Sequence, residues 1–76
     1  MKVVVIPVFN EEKSIFNVIT KVFNHCDKII VVNDSSTDGS KEILESINND
    51  NLIIVTNEKN LGIGGATKVG IKKALE

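Results

Sequence analysis

The sequence lacks the features that assign a chain to several large classes of protein. It has no tryptophan or tyrosine and a single cysteine, Cys26, so an internal disulfide is excluded and a reducing, cytoplasmic compartment is expected. Nine basic side chains against ten acidic ones give a net charge of -1, and the only adjacent basic pair is Lys72 and Lys73. This balance argues against a nucleic-acid partner. With one histidine, His25, beside the one cysteine, the ligand set of a zinc site is also missing.

Long apolar runs are absent as well. A membrane-spanning helix needs about 20 consecutive apolar residues, and the run from Val3 to Ile6 is far shorter. We therefore expect membrane contact only through parts outside this chain. The hydrophobic share of 42% and the charged share of 25% are typical of a globular protein. A length of 76 residues predicts one small domain, residues 1–76.

Three runs rich in β-branched residues predict three strands. They are Lys2 to Ile6, ended by Pro7, then Lys28 to Val32, and Leu52 to Thr56. Near-continuous apolar runs of this kind are typical of parallel strands buried on both faces, where strict alternation is not required.

Amphipathic segments follow each predicted strand. Asn10 is the expected N-cap of the first helix, and Glu11 and Glu12 would occupy its first turn. Strands alternating with helices predict an α/β fold of βαβαβα order with a parallel sheet and right-handed crossovers. The apolar positions that predict the helix faces are Ile15, Val18, Ile19, Val22 and Phe23 in the first helix, Ile43, Leu44 and Ile47 in the second, and Ile63, Ala66, Gly70 and Ala74 in the third, beside Ile71 and Leu75.

Ligands of an open parallel sheet bind beyond the carboxyl ends of its strands. Asp34 follows the second strand and is the best single candidate, because a fixed carboxylate there accepts hydrogen bonds from a base N–H or a sugar hydroxyl. The alternative is that it braces the turn or caps a helix. Phe9 would offer a ring face for stacking, or else belong to the core. Glu11 would bind ribose hydroxyls, although a helix start explains it equally well.

The glycines Gly62, Gly64 and Gly65 follow the third strand, and their spacing does not match the G-x-G-x-x-G fingerprint of dinucleotide-binding domains. A nicotinamide-type Rossmann domain is therefore not indicated. We expect these glycines to permit a tight turn and close packing of the last helix. The side chain of Lys68 is long enough to reach a phosphate. The alternative is that this lysine is solvated on the outer face of the last helix.

Three segments, VIPVFNEE at 5–12, IVVNDSSTDGS at 30–40 and NLGIGGA at 60–66, together resemble the opening of family-two glycosyltransferases. Within that family the chain is most similar to dolichol-phosphate mannosyltransferase-like enzymes. Ser35 stands where the family usually has glycine, and Asn33 where a second aspartate is common. The resemblance implies a three-layer, Rossmann-like sheet with strand order 3-2-1, a partial GT-A fold.

The same resemblance implies how the chain works. Pro7, Phe9 and Glu11 would contact the base and ribose of a nucleotide-sugar donor, and Asp34 would bond the base. The full enzyme would use Mg²⁺ or Mn²⁺, held by an Asp-x-Asp motif that this chain does not contain. A later catalytic aspartate is also missing, so we expect the chain alone to be inactive. The alternative is a non-catalytic βαβαβα module for nucleotide capture or assembly. The first strand, left at the sheet edge by this order, would support self-association.

Overall fold

Three parallel strands form the centre of the molecule. In the computed structural model, which describes all 76 residues, they are β1 (Val3–Val8), β2 (Lys28–Asp34) and β3 (Leu52–Asn57). The order across the sheet is β1-β2-β3, and both pairs are parallel. Counted from the opposite edge this order is 3-2-1, so the predicted α/β class and strand order are confirmed.

The strands extend beyond their predicted ends. β1 continues through Pro7, which was expected to end it, because a proline is tolerated on an edge strand, where no second neighbour needs its missing N–H. β2 continues through Asn33 and Asp34, which are 1% and 3% exposed. Both residues remain in the ladder, since β1 pairs with Asn33 and β3 pairs with both. The central strand therefore carries a buried carboxylate at its last residue.

Three helices cover the sheet in two layers. They are α1 (Ile15–Val22), α2 (Ser40–Ser46) and α3 (Gly62–Ala74). Right-handed crossovers that step from β1 to β2 to β3 in one direction place α1 and α2 on the same face. α3 packs on the other face, against β1 and β2. None of these helices is long and apolar enough to cross a membrane.

The core lies mainly between the sheet and the first two helices. In α1, Ile15 and Ile19 are buried, whereas Val18 of the predicted stripe is 39% exposed. Side chains of alternate strand residues complete this layer, because successive side chains point to opposite faces. The buried cluster consists of Val8, Ile15, Ile19, Ile29, Val31 and Leu44.

The predicted start of the first helix is wrong. Asn10 does not cap it, and Glu11 and Glu12 do not form its first turn, because α1 begins at Ile15. Asn10 has a φ of 54°, a left-handed conformation that asparagine tolerates better than most residues. Its side chain forms a hydrogen bond with the loop after β2. Residues 9–14 therefore connect β1 to α1 as a loop and not as the first turn of a helix.

Close packing of α3 depends on Gly70. A Cβ at this position would overlap the Cγ1 of Val5 and would lie 3.1 Å from the Cγ2 of Val32. Gly64, which was expected to serve close packing, has nothing within 4 Å of its missing Cβ. Ala66 is buried beside Gly70, while Ile63 is 79% exposed and lies outside the core.

These two glycines make a matched pair for a stability test. Gly70→Ala should lower the free energy of unfolding by about 1–3 kcal/mol, because the added methyl group overpacks the helix against the sheet. Gly64→Ala should raise it by roughly 0.5–1 kcal/mol, since it adds no clash and alanine has a higher helix propensity than glycine. Urea unfolding of both variants measures the difference, and equal effects would contradict this account of the packing.

The second prediction concerns the free edge of β1. The backbone of the apolar run from Val3 to Ile6 pairs with β2 on one side only, and Val3 is 38% exposed. We expect the chain to self-associate through this edge, because unpaired apolar edges recruit other strands. Light scattering should show a mean mass that rises with concentration, and Val3→Lys should reduce the rise. A monomer at high concentration would contradict the prediction.

Candidate functional site

A cavity of about 370 Å³ opens at the carboxyl end of the sheet. It lies between the loop after β1 (residues 9–14), the end of β2 and the loop after β3 (residues 58–61). The four residues selected from the sequence, Pro7, Phe9, Glu11 and Asp34, all line it. The other lining residues are Val8, Asn60, Gly62 and Ile63. None of them was selected as a site residue from the sequence, and Gly62 was assigned there to a tight turn.

The Asp34 carboxylate is held by three N–H donors from elsewhere in the chain. The Asn57 side-chain amide donates to Oδ1 at 3.0 Å. The Leu61 backbone N–H lies between the two oxygens, at 2.9 Å from Oδ1 and 3.1 Å from Oδ2. The Gly62 N–H donates to Oδ2 at 3.0 Å. Asp34 thus both lines the cavity and caps α3, rather than the helix that follows it in sequence.

This capping decides what the glycine turn can bind. Free N–H groups at a helix start attract phosphates, but the Asp34 carboxylate already fills that position at α3. Gly62 has a φ of 75°, which glycine adopts without strain, and its N–H is also 2.8 Å from Oδ1 of Asn60. The turn therefore serves to bring two N–H groups onto a carboxylate, and it is not an open phosphate cradle.

Hydrogen bonds shift the pKa of two aspartates. The Asn57 amide and the Leu61 N–H lower the pKa of Asp34, and they outweigh burial, which acts in the opposite direction. Burial would raise the pKa of Asp38, but bonds from the Ser40 hydroxyl and from the Ser40 and Glu12 backbones hold it below the ordinary value. Both side chains are therefore carboxylates at neutral pH.

Phe9 and Glu11 remain available to a ligand. Phe9 is 46% exposed and does not belong to the core, which removes that alternative for it. Glu11 is exposed, and the one hydrogen bond to its carboxylate is a long one of 3.4 Å from the Ser14 hydroxyl. Leu61 and Ile63 are also largely exposed near the cavity mouth, at 50% and 79%. The mouth thus combines apolar surface with free acceptor oxygens.

The electrostatics favour a neutral group that carries hydrogen-bond donors. Two carboxylates, Glu11 and Asp34, line the cavity, and no lysine does. Ionised carboxylates only accept hydrogen bonds, so they match hydroxyl and N–H groups. Lys68, considered as a phosphate ligand, is exposed and lies outside the lining.

The residues present do not fit a metal ion. No group of three or more histidine, cysteine, aspartate or glutamate side chains lies close enough to hold one. Three N–H donors already occupy most of the roughly four acceptor sites of the Asp34 carboxylate, which leaves about one site for a ligand. We derive no step through a metal from this chain.

The two departures from the family pattern have different structural consequences. Ser35 has a φ of 64°, so the glycine that the family usually has there matches a left-handed backbone. Asn33 is buried, and its Oδ1 accepts a hydrogen bond from the Ser36 N–H at 3.2 Å. Ser35 thus occupies a position that favours glycine, and the Asn33 side chain braces the turn after β2.

A dependence of stability on pH follows from the pKa of Asp34. Because that pKa is lower in the folded state, the stabilisation is complete above the ordinary value of 3.8 and is lost as pH falls through the folded value. Urea unfolding from pH 7 to pH 2.5 should show this loss in the wild type. Asp34→Asn should have a lower free energy of unfolding than the wild type at neutral pH. Its free energy of unfolding should fall less on acidification, and the fall that remains is the contribution of Asp38. An unchanged pH profile would contradict this.

Comparison with known proteins identifies relatives along nearly the whole chain. A UDP-N-acetylglucosamine--dolichyl-phosphate N-acetylglucosaminyltransferase of Methanococcus voltae is 39% identical over an alignment 87 positions long, which covers 95% of this chain and 35% of that protein. Glycosyltransferase GlyA of Streptococcus pneumoniae is 34% identical over 90% of this chain and 10% of its own length. An uncharacterized Methanocaldococcus jannaschii protein is 36% identical over 96% of this chain and 33% of its length.

This chain spans about a third or less of the length of these relatives. No solved structure matches it. The model of the family described as "Glycosyl transferase family 2" matches residues 3–76, which include every element of the fold. The chain therefore belongs to glycosyl transferase family 2.

Proposed function

We propose that this chain binds the nucleotide of a nucleotide-sugar donor in the cavity at the carboxyl end of its sheet. The observation that carries the proposal is the convergence of Pro7, Phe9, Glu11 and Asp34 on that one cavity. The parent enzyme would transfer the sugar to an acceptor such as a polyprenyl phosphate or a glycan. The names of the Methanococcus and Streptococcus relatives support this reaction class.

Each lining residue has a role in this proposal. The exposed ring of Phe9 stacks on the base or the ribose. The Glu11 carboxylate accepts hydrogen bonds from ribose hydroxyls, and Asp34 accepts one from a base N–H. Pro7 forms an apolar wall. Since the carboxylates repel phosphate, the nucleoside enters the cavity and the diphosphate extends away from it.

The chemistry of transfer needs groups beyond these. Leaving of the diphosphate requires neutralisation of its charge, which a divalent metal, Mg²⁺ or Mn²⁺, supplies when bound. No residue lining the cavity is suited to that task. We expect this chain alone to bind the nucleoside and to catalyse no transfer. Our proposal places the enzyme in the cytoplasm, at the membrane face when the acceptor is a polyprenyl phosphate.

A second reading is a non-catalytic module whose βαβαβα unit serves assembly. The exposed apolar edge of β1 favours it, because such an edge pairs with other strands. The two readings differ in calorimetric titration. Donor binding requires heat of binding with a nucleoside diphosphate, whereas an assembly module gives none while remaining folded.

The chain offers two partly exposed phenylalanines for a matched test. Phe9 lines the cavity and is 46% exposed, and Phe16 lies on α1 and is 55% exposed. Phe9→Ala should weaken binding of uridine or guanosine diphosphate about tenfold, because base–aromatic stacking contributes roughly 1–3 kcal/mol. Phe16→Ala should leave the affinity unchanged. Calorimetric Kd values measure both.

Glu11→Gln tests the carboxylate without changing its shape. It should weaken nucleoside binding several-fold, since hydrogen bonds to charged groups contribute about 1.5–3 kcal/mol and the neutral bonds that the glutamine oxygen still accepts contribute about 0.5–1.5 kcal/mol. Glu45→Gln, an exposed change on α2, is the control. Wild-type affinity in both Phe9→Ala and Glu11→Gln would overturn the placement of the nucleoside in this cavity.

A further inference from the structure

The loop that carries Phe9 and Glu11 is held by side chains that lie outside the cavity. The loop after β2 (residues 35–39), together with Ser40 at the start of α2, faces residues 10–12. Three consecutive backbone N–H groups of the first loop donate to three side chains of this segment. We call this set of bonds the clasp, and it pairs Asn10 with Ser36, Glu11 with Ser40, and Glu12 with Asp38.

The central bond of the clasp is the best protected. The Glu11 N–H donates to the Ser40 Oγ at 2.9 Å, and Ser40 is fully buried. The flanking bonds are longer, at 3.1 Å from the Asn10 N–H to the Ser36 Oγ and 3.2 Å from the Glu12 N–H to the Asp38 Oδ2. Among residues 10–12, the backbone of Glu11 is thus held by the shortest and most buried bond of the clasp.

Contacts in the reverse direction close the clasp. The Asn10 Oδ1 accepts a hydrogen bond from the Thr37 N–H at 2.8 Å. Asp38 also accepts one from the Ser40 N–H at 2.9 Å through its other oxygen, Oδ1. Asp38 therefore joins the start of α2 to the first loop, and Ser40 is fixed at both its backbone and its side chain.

The clasp gives hydrogen-bond partners to N–H groups that have none in a helix. Residues 10–12 precede α1, so their N–H groups have no helical partners. With Asn10 in a left-handed conformation, the loop would have many alternative conformations if these N–H groups were free. Ordering a loop and its side chains on binding reduces affinity, and a loop ordered in advance avoids that loss.

We infer that Ser40 and Asp38 are positioning residues that preset Glu11 and Phe9 for the nucleoside without touching it. The inference rests on the proposed function, because it concerns the same cavity. Neither residue lines that cavity. Affinity for a nucleotide should thus depend on Ser40 and Asp38 although neither residue contacts the nucleotide.

The test compares two serine-to-alanine changes at opposite ends of α2. Ser40→Ala removes the acceptor of the Glu11 N–H, whereas Ser46→Ala removes an exposed hydroxyl that bonds the Ile43 carbonyl. Uridine diphosphate and guanosine diphosphate are titrated into each variant, and hydrogen exchange is followed at the Glu11 amide. Ser40→Ala should bind about tenfold more weakly, the effect of ordering one or two side chains on binding. Its Glu11 amide should exchange faster, and Ser46→Ala should match the wild type.

Asp38 supplies the second variant, in case Ser40→Ala does not fold. Asp38→Asn keeps one side-chain oxygen and should lose less affinity than Asp38→Ala, a graded response that overall destabilisation would not produce once all variants are shown to be folded. The inference would be overturned, with the proposed function left standing, if Ser40→Ala bound as tightly as the wild type. Equal affinities of Asp38→Asn and Asp38→Ala would have the same consequence. Failure of the wild type to bind either nucleotide would overturn the proposed function as well.

Discussion

The structure depends on one buried carboxylate at the end of its central strand. Asp34 is 3% exposed, and a charge in that position is stable only when donors surround it. The donors come from the end of β3 and the start of α3, through Asn57, Leu61 and Gly62. A single side chain therefore ties the second strand, the third strand and the last helix together. The end of β2, Asn60 and the start of α3 form one wall of the cavity.

The second strand and the loop after it organise the site from its centre. At one side, Asp34 fixes the loop after β3, and at the other, the clasp fixes the loop after β1. Because β2 is paired on both sides and buried on both faces, it is the most rigid base that this small sheet provides. Two of the residues proposed to touch the nucleoside, Phe9 and Glu11, stay exposed, while the backbone of Glu11 is held by the clasp. A loop backbone ordered in advance avoids the loss of affinity that ordering it on binding would cause.

Much of the fold was predictable because the relevant signals are local. Runs of β-branched residues indicated all three strands. Phe9, Glu11 and Asp34 were identified because each falls where a parallel strand ends, and Pro7 was identified through the family resemblance. The errors arose where distant contacts replaced local preferences. Asn10 has the composition of a helix cap, yet its side chain bonds Thr37, 27 residues away, and the helix begins later. Gly70 was expected only on the apolar face of α3, but its closeness to Val5 makes it the glycine that packing requires.

The sequence by itself determined the class of the fold, the strand order through the family resemblance, and the edge of the sheet at which the site lies, because these follow from periodicity and from three short motifs. Only the tertiary structure decided what each polar residue bonds. The partners of Asp34 lie 23 to 28 residues away along the chain. Those of residues 10–12 lie 26 to 29 residues away. No local pattern encodes such pairs, since they form only when parallel strands bring three separate loops to the same edge.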